Sequence, residues 1–175
     1  MADKKHYIIT SITLGAIAAC SAALIGVTNM VTRDKIAQNE QNKITSGINS
    51  IFGNDSKIAD EAPVDSDYKY VKYVYTVHGD GDQLLGYAFR TSGSNMYGKI
   101  SLIVGFGEAS KDFEGLSIVV NEQTYASTLV DNYINPLNEG KRELEDVSCG
   151  ATYGAKLVRD MVNEASQVIN EMWKD

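Results

Sequence analysis

Apolar positions run without a single charge from Tyr7 to Thr32, YIITSITLGAIAACSAALIGVTNMVT, a stretch of 26 residues. A helix needs about 20 apolar residues to cross a bilayer. Beyond it, from Asp34 to Asn54, apolar residues thin out to Ile36, Ile44, Ile48 and Ile51, a near-helical recurrence that predicts a second helical stretch. Residues 53–67, GNDSKIADEAPVDSD, are polar, carry Pro63 and predict a loop. The period then shortens. Tyr68–Val77, Gln83–Thr91, Lys99–Phe106 and Leu116–Glu122 are rich in β-branched and aromatic residues and predict strands. Between them stand the turn sequences HGDGD, with the Asp-Gly of a tight hairpin, GSNMYG and GEASKDFEG. STLVDNYINPL predicts a short helix ending near Pro136. Finally Leu157, Val158, Met161, Val162, Ala165, Val168, Ile169 and Met172 keep one apolar face from Ala155 to Trp173, a helix whose N-terminus falls at Thr152 or just after.

Short strands joined by hairpin-length links, with helices around them, predict an α+β fold: a single N-terminal transmembrane helix followed by a twisted antiparallel sheet with packed helices. The division expected is a tail and membrane helix over 1–33, a connecting helix and loop over 34–67, and a folded domain over 68–175.

Three fates suit the N-terminal run. A cleaved signal peptide has an apolar core of about 7–15 residues and a small-residue cut site, and this run is longer. Ile17-Ala18-Ala19-Cys20 has the outline of a lipoprotein signal, yet the apolar run continues past Cys20. An uncleaved membrane helix suits the length, and Gly15, Ala16, Ala18, Ala19, Ala22 and Ala23 suit close packing against another membrane helix. Lys4 and Lys5 before the run nearly balance Arg33 and Lys35 after it, so charge does not orient it.

Net charge is −7, which disfavours nucleic acid as a partner because phosphate binding needs a basic face. Two cysteines and two histidines fall in no ligand spacing, so no metal site is predicted, and no disulfide is expected between Cys20 and Cys149. His6 and His78 suggest no acid–base pair, and no catalytic constellation emerges. The tyrosines at 68, 70, 73 and 75 are expected to stabilise a strand.

One motif carries chemistry. Asp146-Val147-Ser148-Cys149-Gly150-Ala151-Thr152 ends where the last helix begins. A helix N-terminus has free N–H groups and a partial positive charge, which favour a phosphate. Gly150 and Ala151 leave the backbone bare, and Thr152 adds a hydroxyl. On the residues alone a plain N-cap is the favoured reading of Thr152, since threonine is common there. Lys156 and Arg159 follow one and two turns in as candidate charge partners.

This motif resembles the flavinylation sequence Asp-x-x-(Ser/Thr)-Gly-Ala-Thr of the FMN-binding domain family, which includes the G subunit of the Rnf electron-transport complex and the C subunit of sodium-pumping NADH:quinone reductase. Asp146, Gly150, Ala151 and Thr152 match; Cys149 stands where Ser or Thr is usual. NMVTRDKI (Asn29 to Ile36) is similar to the pattern at the end of the Rnf-type membrane helix. GYAF (Gly86 to Phe89) is similar to a family strand, and Gly98 with Ile100 to the turn after it. VVNEQTYA (Val119 to Ala126) occupies the place of the Glu-Thr-Pro-Gly flavin-pocket segment. There Thr124 matches, while Gln123, Tyr125 and Ala126 replace Glu, Pro and Gly; Tyr125 is open to stacking on an isoalloxazine, although a tyrosine at a strand end more often just packs. The resemblance implies FMN held through a phosphoester on Thr152, installed by a flavin transferase that uses FAD. It names Asp146, Cys149, Gly150, Ala151, Thr124 and Gln123 as flanking cofactor-binding positions. It also implies electron transfer in a membrane-bound, ion-translocating complex, with other membrane subunits as partners and the domain on the extracytoplasmic side of the cell (inner) membrane. A stand-alone membrane flavoprotein and a non-redox anchored adaptor are the alternatives.

Overall fold

The computed structural model describes residues 2–65, 67–108 and 112–172. Trp173 and the 109–111 part of the turn before the last strand lie outside the described residues. Two compact units divide the chain, residues 1–41 and 42–175.

The first unit is helical throughout its described length. It is the larger part of α1 (Ala2–Phe52), and its apolar side chains from Tyr7 to Val31 are exposed. The segment is long and apolar enough to cross a membrane, and none of that span is buried within the chain.

The second unit opens with the last turns of α1 and continues into β1 (Lys57–Pro63), β2 (Val71–His78), β3 (Leu84–Asn95), β4 (Gly98–Gly107) and β5 (Phe113–Asn121). The strands form one antiparallel sheet in the order β1-β2-β3-β4-β5. Then come a helix in three parts, α2 (Ala126–Leu129), a π turn (Val130–Ile134) and α3 (Asn135–Asn138), and finally α4 (Thr152–Met172). This is the α+β architecture the hydrophobic pattern predicts.

The sheet is covered on both faces, each with its own core. On one face Phe89, Leu102, Val104 and Phe106 pack with Leu129 and Tyr133 and with the apolar side of α4. Edge-on contacts of Phe106 with Phe89 (5.8 Å) and Phe113 (6.3 Å) fill its centre. On the other face Ile44 and Ile48 from the end of α1 pack on Tyr75, Val77, Ala88, Ile103 and Val119. The period-2 alternation therefore buries both sides of β4, which is why KISLIVGF is almost wholly apolar. Gly47 lets α1 lie close to the sheet: a Cβ there would sit 3.1 Å from the Ser117 Oγ.

Polar anchors fix the helices to the strands. The Glu164 carboxylate on α4 accepts the backbone N–H groups of Lys69, Tyr70 and Val71 at 3.1, 2.5 and 2.8 Å, capping the start of β2. The Asn138 side chain bonds both the N–H and the carbonyl of Leu116, at 2.9 and 2.8 Å, and ties α3 to β5.

Three sequence expectations are corrected. The 53–67 loop contains β1, paired to β2 from Lys57 opposite His78 to Pro63 opposite Tyr73. The helix expected to end near Pro136 runs on to Asn138. Its π turn, closed by the Asn135 N–H on the Val130 carbonyl, puts Pro136 at the start of a new hydrogen-bonding frame, where its missing N–H costs little. The GSNMYG turn shrinks to Met96 and Tyr97, because β3 extends to Asn95 and β4 begins at Gly98.

Candidate functional site

Thr152 is the first residue of α4, and its side chain is half-buried. The first helical turn closes with the Ala155 N–H on the Ala151 carbonyl at 3.0 Å, which makes Ala151 the capping residue. Thr152 is therefore one position too late for an N-cap. Its hydroxyl bonds to nothing among the described residues, so the capping role open to it in the sequence is not the one it has.

The approach to Thr152 is shaped by residues 139–151. Tyr133 donates its hydroxyl to the Leu144 carbonyl, and Asn132 donates to the Cys149 carbonyl at 3.1 Å. Arg142 donates to the carbonyls of Asp146 (2.8 Å) and Ser148 (3.2 Å) and lies 3.4 Å from the Asp146 carboxylate. Asp146 also accepts the Ser148 N–H at 3.3 Å, an Asx turn. Gly150 then turns the chain at φ +81°, a conformation that L side chains avoid, and a Cβ there would press on Thr128 at 3.3 Å.

A cavity of about 250 Å³ opens at this corner, lined by Tyr97, Gln123, Tyr125, Leu129 and the run from Gly150 to Gly154. The N–H groups of Thr152, Tyr153 and Gly154 belong to the first turn, where no helical partner exists for them. Gly154 is buried and lets the first turn pack closely: a Cβ there would sit 3.0 Å from Leu129 and 3.3 Å from the Gln123 Oε1. No lining residue is acidic. Free N–H donors, the positive end of a 21-residue helix and a bare backbone fit a phosphate group, and the unpartnered Thr152 hydroxyl fits a phosphoester at the same place.

Of the seven expected cofactor-binding residues, four line this cavity: Gln123, Gly150, Ala151 and Thr152. The other three support it from outside. Thr124 donates its N–H and hydroxyl to the Tyr97 carbonyl at 2.9 and 3.3 Å. Asp146 shapes the loop through Arg142, and Cys149 is a buried free thiol beneath it. Of the two candidate cations, Lys156 stands 5.9 Å from the centre of the Tyr153 ring, whereas Arg159 is held by Asp160 (2.8 Å) and Glu145 (3.5 Å).

Tyr125 lines it as well; Tyr97, Leu129, Tyr153 and Gly154 complete the lining and escaped the sequence reading. Tyr153 adjoins the motif; Tyr97 has no local signal, since the β3–β4 turn alone brings it here. Tyr68, Tyr70, Tyr73 and Tyr75 do not line the cavity. Tyr75 is buried in the core under α1, and Tyr68 and Tyr70 flank the other core. Among the described residues no cluster of His, Cys, Asp or Glu could hold a metal ion.

Residues 1–51 match the family described as the RnfG N-terminal region. A search of curated proteins finds no match to the chain.

Proposed function

We propose that this chain is a membrane-anchored electron carrier, a subunit of an Rnf-type complex, with FMN esterified through its phosphate to the Thr152 Oγ. The observation that carries the reading is the Thr152 hydroxyl, free of any capping bond, at the mouth of α4 on a bare-backbone cavity, in a chain whose first 51 residues match the RnfG N-terminal region. Bound flavin would supply the one- and two-electron chemistry. The chain's own residues hold the phosphate on the first-turn N–H groups. Gly150 makes the tight turn before α4, Gly154 seats its first turn on Leu129, and the apolar α1 segment keeps the domain at the bilayer. A covalent tether suits a carrier outside the cytoplasm, where lost FMN could not be readily replaced.

The test is intact mass of the protein co-expressed with a competent flavin transferase. The expected gain is FMN less one water, on the peptide containing Thr152. Thr152→Ala should abolish it, and Ser148→Ala should keep it, since Ser148 is exposed and lines no part of the cavity. Wild-type protein without added mass defeats the assignment, and adduct on another residue of Thr152→Ala defeats the motif alignment. The departures at Gln123, Tyr125 and Ala126 favour one second reading, a stand-alone membrane flavoprotein. Flavin-bearing protein that leaves native membranes without polytopic redox subunits would select it.

A further inference from the structure

We propose that Tyr97, Tyr125 and Tyr153 form the seat of the isoalloxazine ring. The inference rests on the covalent attachment proposed above and assigns the part of the cofactor that the motif leaves without contacts. At about 250 Å³ the cavity is smaller than the roughly 300–1,000 Å³ of pockets that enclose a drug-sized ligand. A space of that size suits the phosphate and the start of the ribityl chain, which leaves the mouth for the ring.

The mouth is aromatic. Tyr97 comes from the β3–β4 turn, Tyr125 from the segment after β5, and Tyr153 from the first turn of α4. The Tyr97 ring centre lies 5.5 Å from that of Tyr153 and 6.0 Å from that of Tyr125, with the planes tilted by 39° and 56°. Tyr153 is 59% exposed and Tyr125 54%, so large aromatic surface stands in solvent beside the tether point. A group esterified at Thr152 is confined beside these rings, and such confinement raises its effective concentration there without any strong contact of its own.

The seat is built rather than incidental. Asn95 accepts the Tyr97 N–H at 2.8 Å and donates to the Tyr153 carbonyl at 3.1 Å. Gln123, buried behind the rings, donates to Asn95 Oδ1 at 3.0 Å and to the Gly98 carbonyl. The segment bearing Tyr125 is pinned through the Thr124 N–H on the Tyr97 carbonyl. One network therefore sets the backbone of all three phenols. Gln123 and Tyr125, two of the departures from the family segment, both belong to this arrangement.

Phenols next to a flavin quench its emission, because an electron passes from the phenol to the excited ring and back. The experiment is emission per covalently bound flavin in the full-length protein, with the adduct counted by mass. Wild-type emission should fall well below that of free FMN. Tyr97→Leu should raise it severalfold, and the variant with all three tyrosines replaced by leucine further, with the adduct retained. Tyr73→Leu, on β2 outside the cavity, should leave it unchanged. If the leucine variants do not fold, Tyr→Phe at the same three positions carries the test, since a phenyl ring keeps the shape but does not donate the electron. Adduct-bearing wild type and triple phenylalanine variant with equal emission overturn the seat while leaving the attachment standing. Wild type without adduct overturns both.

Discussion

Thr152 and Tyr75 show how far one side chain's surroundings decide its role. An N-cap threonine replaced by alanine costs about 1 kcal/mol. Thr152 makes no such bond, so Thr152→Ala should leave the unfolding midpoint of the unmodified protein almost unchanged while removing the proposed site of attachment. A drop of the full capping value would restore the structural role. Tyr75 is fully buried, and burial first, then the Glu61 carboxylate, pushes its phenol from about 10 up to about 12. The unfolded chain gives up that proton first. The contribution is therefore intact below pH 10 and is lost as pH rises from 10 towards 12. Tyr75→Phe should flatten the decline of stability across that window in an alkaline series of urea titrations; an unaltered slope would mean that other groups cause it. Gly150, Ala151 and Thr152 were legible as a group because a helix start is local, and they line one cavity. Tyr97 was not, since only the pairing of β3 with β4 carries it to the same cavity.

Among the elements, α4 was the easiest to read and β1 the hardest, for one reason. α4 buries a continuous stripe from Ala155 to Ile169, so its period is written in apolar residues. β1 is an edge strand with mostly exposed positions, and its Lys, Asp, Glu and Pro protect an edge from further pairing instead of filling a core. The end of α1 shows an intermediate case: Ile44 and Ile48 are buried on the sheet, while Ile36, on the same recurrence, is exposed. The link from α4 to β2 is polar and left no periodic trace. Glu164→Ala removes three charge-assisted hydrogen bonds from the start of β2 and should cost about 2 kcal/mol in chemical unfolding, with Glu164→Gln losing less because the amide oxygen still accepts. An unchanged midpoint would mean that water replaces the carboxylate at no cost.

At the scale of the whole chain, two units of different surface follow one another. The first is apolar and exposed, and the second carries its own two cores. The hypothesis that the first unit anchors the chain predicts recovery in the membrane fraction with the N-terminus retained; a mature chain beginning at a lipidated Cys20 would replace the helix by a lipid. Protease added to intact cells or spheroplasts should digest the second unit. Digestion only after lysis would put the domain in the cytoplasm and remove the reason for a tether.

Cys149 turns the corner of the site into a clock. It is the one thiol of the second unit, 7% exposed, three residues before Thr152, with its carbonyl held by Asn132. A maleimide reaches such a thiol only when the corner opens, so the labelling rate counts openings, as hydrogen exchange does for amides. A group fastened at Thr152 and seated across the mouth would hold the corner shut. Modified protein should therefore label more slowly than unmodified protein from the same preparation, and equal rates would mean that attachment leaves the corner as free as before.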